Sequence, residues 1–210
     1  MRGRFGGPER YVPELELGWD EVKIGCLGWG SLIWDPRELP VRSGWFEDGP
    51  LLPIEFSRES KGQRITLVLV EGVASVRSLW ALMAVDDLEQ AKQALADREG
   101  MGPETRDQHI GYWRGEGASK GVGTADIAKW AEGVGLDGVV WTALPPSFKD
   151  KPNAVMTPSD VVGYVRDRKA EARRSLEEYV RRAPPQIDTE VRRRREMEFG
   201  WTSVQTGSGT

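Results

Sequence analysis

A short apolar run that stops at two glycines constrains this chain more than any other segment. Residues 24–27, Ile-Gly-Cys-Leu, are typical of a buried strand, and residues 32–34, Leu-Ile-Trp, resume the apolar pattern. Between them lie residues 28–31, Gly-Trp-Gly-Ser, where the two glycines let the backbone turn sharply and approach a ligand closely. The free N–H groups of such a turn can form a small anion-binding concavity. The segment predicts a ligand-binding loop at the end of a core strand, with a plain tight turn as the alternative.

Composition and charge limit the class of protein. The 210 residues are 39% hydrophobic and include nine tryptophans, which is enough for the core of one domain. A net charge of −4 argues against nucleic acid as the main partner, because nucleic-acid-binding domains are usually basic. Cys26 is the only cysteine, so no intrachain disulfide can form. No N-terminal run resembles a signal peptide and no apolar stretch approaches a membrane span, so we expect a cytoplasmic protein without a membrane partner.

Several chemically suggestive residues have a plainer interpretation. His109 is the only histidine, so a metal site built on a histidine pair is excluded and no metal is expected. Ser31 lies outside any Gly-x-Ser-x-Gly elbow, which argues against a hydrolase triad. Residues 192–195 are four consecutive arginines, but Glu190 and Glu196 flank them. We therefore interpret that segment as a solvated helix face rather than a nucleic-acid patch.

The order of predicted elements favours an α+β fold. The predicted strands are 22–27, 51–58, 64–71, 73–84 and 138–144, and residues 59–62 form a hairpin turn between the second and third. Strands precede helices more often than they alternate with them. The chain should therefore form a small, mostly antiparallel sheet that curls into a partly closed barrel with flanking helices.

Helix signals define the rest of the chain. Asp86 and Glu89 form a capping-box-like start for a helix that ends near Arg98, and Gly100 is a good stop, so Glu99 should lie at a helix terminus. The other predicted helices cover residues 125–132, 158–183 with a bend midway, and 188–199. The predicted organisation is an irregular arm (1–20), the main domain (21–183), a C-terminal helix (184–200) and a disordered tail (201–210).

Two short motifs resemble the γ-glutamylcyclotransferase-like family. Residues 29–34, Trp-Gly-Ser-Leu-Ile-Trp, are similar to its signature loop, which is usually Tyr-Gly-Ser followed by Asn-Leu or Leu-Met-Trp. Residues 76–83, with Trp80 at the aromatic position, are similar to a strand of the family that precedes a short helix and a glutamate. Here the glutamate is Glu99, followed by Gly100. The resemblance covers roughly residues 22–180.

The resemblance implies a cofactor-independent lyase with a small-molecule γ-glutamyl substrate. In that reaction, the α-amine of the γ-glutamyl group attacks its own γ-carbonyl, closes 5-oxoproline and releases the partner amine. Glu99 would be the general acid and base. The loop would bind the substrate and Trp141 would add a wall; the loop positions are Leu27, Gly28, Trp29, Gly30, Ser31 and Leu32.

Departures from the family pattern leave alternatives open. Trp29 stands where the family usually has tyrosine, which removes a hydroxyl, and the asparagine of the plain cyclotransferase loop is absent. The substrate could be glutathione, a γ-glutamyl amino acid, a γ-glutamylamine or something unrelated. A non-catalytic module that binds a small molecule or a protein is the alternative from another class, and hydrolysis or acyl transfer on another γ-acyl amine is a third. The sequence does not separate a monomer from a homodimer.

Overall fold

Eleven strands and six α-helices make up the part of the chain that the computed structural model describes, which is residues 21–60, 62–148, 151, 152 and 154–204. The strands are β1 (Ile24–Gly28), β2 (Leu51–Leu52), β3 (Ile54–Glu59), β4 (Ile65–Leu69), β5 (Val76–Arg77), β6 (Leu79–Leu82), β7 (Ile110–Arg114), β8 (Ala118–Lys120), β9 (Gly138–Thr142), β10 (Ser147–Phe148) and β11 (Lys151–Pro152). The helices are α1 (Leu88–Glu99), α2 (Pro103–His109), α3 (Thr124–Val134), α4 (Pro158–Arg166), α5 (Ala170–Arg182) and α6 (Glu190–Phe199). The predicted N-terminal arm, residues 1–20, lies outside the described residues.

The strand before the glycine loop lies inside a five-stranded sheet. The strand order is β6-β1-β9-β7-β8, and β1 pairs antiparallel with β6 and parallel with β9. All five residues of β1 are buried because both faces of this sheet are covered. Ile24 and Cys26 pack with Leu95 of α1 in one core cluster, whereas Leu27 points into a second cluster on the other face.

The predicted α+β class is confirmed, but the predicted barrel is not supported. A four-stranded sheet has the order β11-β10-β3-β4, and β2 pairs with β5 in a two-stranded ribbon. Most of the pairings are antiparallel, as expected; the exceptions are β1 with β9 and β10 with β3. Within the described ranges, none of the three sheets closes on itself. The sequence predicted one sheet that curls into a partly closed barrel. The described sheets are instead separate, and hydrophobic packing against one another and against the helices holds them together.

Local capping chemistry determines where α1 begins and ends. Asp87, one residue after the predicted start, is the N-cap, and its carboxylate accepts a hydrogen bond from the backbone N–H of Gln90. Gly100 takes the left-handed conformation at φ 68°, and its N–H closes onto the last carbonyls of the helix. Glu99 is therefore the last residue of α1, as predicted.

The predicted long helix over residues 158–183 is two helices. Thr157 and Asp160 form a reciprocal capping box at the start of α4, and Pro158 occupies its first turn. Lys169 has an extended backbone, with ψ at 157°, so α4 and α5 are separate elements rather than one bent helix.

The C-terminal segment belongs to the main core. Ile187, Val191 and Trp201 are buried in the cluster that also contains residues of β3 and β4. Trp201 falls in the predicted disordered tail, yet it is 4% exposed, and the N–H of Val204 donates to the carbonyl of Arg181. The rest of that tail, residues 205–210, lies outside the described residues. Residues on both sides of position 183 therefore share one hydrophobic core cluster.

The arginine run on α6 is only half solvated, so the interpretation as a solvated face is wrong for two of its members. Arg193 and Arg194 are exposed, whereas Arg192 and Arg195 are 1% and 0% exposed. The guanidinium of Arg195 lies 4.7 Å from the ring centroid of Phe56. No helix in the described part of the chain is both long and apolar enough to cross a membrane.

Candidate functional site

The glycine loop and the end of α1 meet at a cavity of about 220 Å³. Loop residues 28–32 form one part of its wall, and Arg98 and Glu99 form another. The β3–β4 hairpin, the end of β9 and Tyr179 of α5 complete it. The cavity thus joins segments from both ends of the described chain, although the loop and Glu99 are the parts that the sequence singled out.

The two glycines of the loop are required by close packing. A Cβ on Gly28 would lie 2.6 Å from side-chain atoms of Ile33 and Trp45. A Cβ on Gly30 would collide with the hydroxyl of Tyr179. The N–H of Ile33 donates to the carbonyl of Gly30 at 3.0 Å, which closes the turn. Among the described residues no acceptor takes the N–H of Gly30, so this donor is free for a ligand.

Glu99 reaches the cavity as one half of an ion pair. Its Oε1 accepts a hydrogen bond from Nη1 of Arg98 at 2.5 Å. The Glu99 side chain is 20% exposed, whereas that of Arg98 is 5% exposed. The second carboxylate oxygen has no hydrogen-bond partner among the described residues. One oxygen is thus held in place and the other can accept a proton or a hydrogen bond from a ligand.

Arg98 also ties the end of α1 to the glycine loop. Its Nη2 donates to Oγ of Ser31 at 3.2 Å and to the carbonyl of Asp35 at 2.7 Å. The carbonyl of Arg98 in turn accepts a hydrogen bond from Nη1 of Arg37 at 3.1 Å. A planar guanidinium with several donors can hold such a set of acceptors in one geometry. Sequence reasoning missed Arg98, and its position beside Glu99 was the only available signal.

Tyr179 brings a buried hydroxyl to the same loop. Burial raises the pKa of Tyr179 to about 12, while backbone hydrogen bonds from Leu67 and Ser31 act in the opposite direction. Nε1 of Trp29 donates to the carbonyl of Leu67 at 3.3 Å. Trp29 and Tyr179 therefore hold the loop against β4, which is an edge strand of its sheet. The sequence offered no signal for Tyr179, because α5 follows the loop by more than 130 residues.

Most of the predicted site residues line the cavity, and two do not. Glu99 and the loop residues 28–32 are in its wall. Leu27 is fully buried in the core instead. Trp141 is also fully buried, with its indole against Gly111 and Gly121. Since side chains alternate along a strand, Thr142 lines the cavity in place of Trp141.

Neither Cys26 nor His109 lines the cavity. Burial raises the pKa of the Cys26 thiol to about 12, and the nearby charge of Glu99 adds to this, so a nucleophilic thiolate is not available near neutral pH. Burial also lowers the pKa of His109, with the charges of Arg58 and Lys120 adding to the effect. Within the ranges that the structure describes, no group of three or more His, Cys, Asp or Glu side chains could hold a metal ion.

Comparisons with known proteins leave the site to be interpreted from its geometry. No protein-family model, no curated protein and no solved structure matches this chain.

Proposed function

We propose that this cavity catalyses the cyclisation of a γ-glutamyl amine to 5-oxoproline, in the manner of the γ-glutamylcyclotransferase-like family, and that it does so in the cytoplasm. The observation that carries the proposal is the shared wall: the carboxylate of Glu99 and the loop residues 28–32 line one cavity. Arg98 links them directly through its hydrogen bonds to Glu99 and Ser31.

The proposed reaction needs mainly positioning and proton transfer. The substrate α-nitrogen forms a bond to its own γ-carbonyl carbon, and the bond from that carbon to the partner nitrogen breaks. A free α-amine has a pKa near 8, so about a tenth of it is neutral at pH 7. The free oxygen of Glu99 takes the proton that the attacking amine loses and delivers it to the leaving nitrogen. Because the attack is intramolecular, it carries a large entropic advantage.

The loop and the cavity size suit a small, charged headgroup. The free N–H of Gly30 can bind the α-carboxylate or the oxyanion that develops on the γ-carbonyl. The volume of about 220 Å³ lies below the range of roughly 300–1,000 Å³ that is typical for drug-sized ligands. The cavity therefore favours a small substrate over a drug-sized ligand.

Release of 5-oxoproline from a panel of γ-glutamyl compounds tests the proposal. The panel contains glutathione, γ-glutamyl amino acids and γ-glutamylamines. Glu99→Gln keeps the shape of the side chain and removes the base, so we expect kcat to fall by about 10²–10⁴-fold. Glu104→Gln is the matched control, because Glu104 is exposed on α2 and does not line the cavity. Full activity of folded Glu99→Gln would refute the mechanism.

A non-catalytic binding module is the second candidate. Its specific support is the short ion pair, because Arg98 already engages the Glu99 carboxylate at 2.5 Å. A ligand can bind to such a neutral, hydrogen-bonded pair without any proton transfer. Binding of γ-glutamyl compounds in calorimetry, with no 5-oxoproline released from any of them, would favour this candidate.

A further inference from the structure

The β3–β4 side of the cavity carries two positive charges that pair with no carboxylate in the part of the chain that the structure describes. Four arginines line the cavity, and two of them have acidic partners: Arg98 pairs with Glu99, and Arg37 lies 3.4 Å from Asp35. Arg58 and Arg64 form no ion pair among the described residues. Counted over the described residues that line it, the cavity therefore has two positive charges in excess, and both of them come from one hairpin.

Arg58 is held where an unpaired charge is costly. Its side chain is half-buried, and among the described groups only the carbonyl of Pro145 accepts a hydrogen bond from it, at 2.7 Å. Burial lowers the pKa of Arg58, which reflects the loss of hydrating water. Burying a charge without a counter-ion is unfavourable. An anionic group on a bound ligand would supply the missing partner.

The surroundings of Arg58 and Arg64 are shaped for a polar ligand. A β-bulge interrupts β3 between Phe56, which packs in the core, and Arg58, which lines the cavity. Bulges often redirect side chains beside binding sites. Ser60 also lines the cavity, and its buried hydroxyl has no hydrogen-bond partner among the described residues. The guanidinium of Arg64 lies 5.9 Å from the ring centroid of Tyr179, so it remains near the wall of the cavity.

We propose that the amine released in this reaction is an acidic amino acid, whose two carboxylates are bound by Arg58 and Arg64. This inference rests on the proposed function and narrows its substrate to a γ-glutamyl group joined to aspartate or glutamate. The γ-glutamyl portion then lies between the loop and Glu99, and the acidic portion lies along the β3–β4 hairpin. The reaction converts γ-glutamyl-glutamate into 5-oxoproline and free glutamate without consuming water.

The test compares two substrates of the same shape, γ-glutamyl-glutamate and γ-glutamyl-glutamine. We expect kcat/KM to be higher for the acidic substrate by about tenfold or more, since a charge-assisted contact contributes that much. Arg58→Gln and Arg64→Gln should each raise KM for γ-glutamyl-glutamate. The preference over γ-glutamyl-glutamine should fall in the variant that loses the contact to the side-chain carboxylate, because γ-glutamyl-glutamine keeps only the α-carboxylate of the released amino acid. Arg174→Gln is the control, because Arg174 is exposed and lies outside the cavity.

Three outcomes overturn the assignment. Equal kcat/KM for the two substrates would refute it, and so would a preference that survives in both Arg58→Gln and Arg64→Gln. Faster turnover of γ-glutamyl-O-phosphoserine than of γ-glutamyl-glutamate would show that the site prefers a phosphate to the side-chain carboxylate, and the acidic amino acid would then be the wrong assignment. Because Arg64 is exposed, its variant should fold even if Arg58→Gln does not, and thermal unfolding checks both.

Calorimetry separates failure of this inference from failure of the proposed function. If neither substrate yields 5-oxoproline, titration with γ-glutamyl-glutamate itself still reports on the arginines. If γ-glutamyl-glutamate binds more tightly than γ-glutamyl-glutamine, and if both arginine variants bind it more weakly, the anionic subsite is supported even though the cyclisation fails. Turnover of both substrates with no preference would leave the cyclisation standing and refute the subsite.

Discussion

At the residue scale, arginines have different roles in this protein, depending on how deeply each is buried and on which groups it contacts. Arg98 is almost fully buried, and its guanidinium donates hydrogen bonds to both Ser31 and Glu99. Arg195 is fully buried with no hydrogen-bond partner among the described residues, and it lies over the ring of Phe56. Arg58 lines the cavity, and no carboxylate within the described ranges pairs with it. The chain thus uses arginine both to hold its own structure and to place positive charge in the wall of the cavity.

Gly30→Ala should disrupt the loop through one contact. The new Cβ would collide with the hydroxyl of Tyr179, which is buried and hydrogen-bonded to the backbone of Leu67 and Ser31. We expect the free energy of unfolding to fall by about 1–3 kcal/mol, as for other overpacked sites. Since Tyr179→Phe removes the clashing oxygen, the double variant should recover most of this loss in urea unfolding. If the double variant instead loses as much stability as Gly30→Ala and Tyr179→Phe together, the contact between Cβ and the hydroxyl is not the cause of the Gly30→Ala loss.

Cys26 should be unreactive in the folded protein and should make its stability sensitive to high pH. Its pKa rises from 9.0 to about 12 on burial, so an aromatic disulfide reagent at pH 8 should label it only after unfolding. Between pH 9 and 12 the unfolded thiol loses its proton and the folded thiol keeps it. The free energy of unfolding should therefore fall as pH rises, by up to about 1.4 kcal/mol per pH unit from this group. Cys26→Ala should show a shallower decline over the same range.

At the element scale, α6 holds the molecule together through buried polar contacts as well as apolar ones. Its Arg192 donates to the carbonyls of Pro184, at 2.6 Å, and Ala183, at 2.9 Å, just after α5 ends. The first turn of α6 is held by Glu55 of β3, whose carboxylate accepts from the N–H of Val191 at 3.2 Å. An acidic group is favourable at that helix end. These contacts connect α5, α6 and β3.

Arg192→Leu should be far more damaging than Arg193→Leu on the same helix. The first change leaves the buried carbonyls after α5 without a donor, so we expect a loss of about 3–5 kcal/mol in the free energy of unfolding. Arg193 is exposed and lies 3.3 Å from Asp188, so its replacement should cost about 1 kcal/mol or less. Guanidinium unfolding of the two variants measures the difference. Similar losses in both would contradict the structural role of Arg192.

At the scale of the whole molecule, the site is formed by segments that are far apart in the sequence. The loop leaves β1 in the middle of the main sheet, between β6 and β9. Glu99 lies at the end of α1, which packs on one face of that sheet. Tyr179 belongs to the core cluster on the other face. The cavity is therefore completed only when both sides of the sheet are assembled.

Truncation after residue 183 should abolish cooperative folding. The removed segment contains Ile187, Val191 and Trp201, each of which is buried in the larger core cluster. Burial of a large apolar side chain stabilises by about 1.5–3 kcal/mol, so the combined loss is close to the typical total stability of a domain. A chain that ends at residue 204 keeps all three and is the control. A cooperative urea transition in the shorter chain would show that residues 21–183 fold alone.

Local signals predicted the parts of the site that depend on neighbouring residues. The glycines of the loop, the start of α1 and its stop at Gly100 follow from backbone chemistry, and the structure places Glu99 at the predicted helix end. Arg58, Arg98 and Tyr179 could not be found in this way, because their positions in the wall depend on contacts across dozens of residues. The prediction that Trp141 lines the cavity failed for the same reason. The elements that pack against β9 decide which of its faces meets the cavity, and Thr142 is on that face.

The sequence by itself determined the α+β class, the apolar strand that ends at residue 28, and the helix that ends at Glu99. These features depend on alternation, caps and glycine conformations, which act over a few residues. Only the tertiary structure decided that half of the arginine run is buried. It also decided that, within the described residues, the three sheets stay open and two cavity arginines have no counter-ion. Burial and ion pairing are settled by which distant segments pack together, and the residue types in a local stretch do not specify that packing.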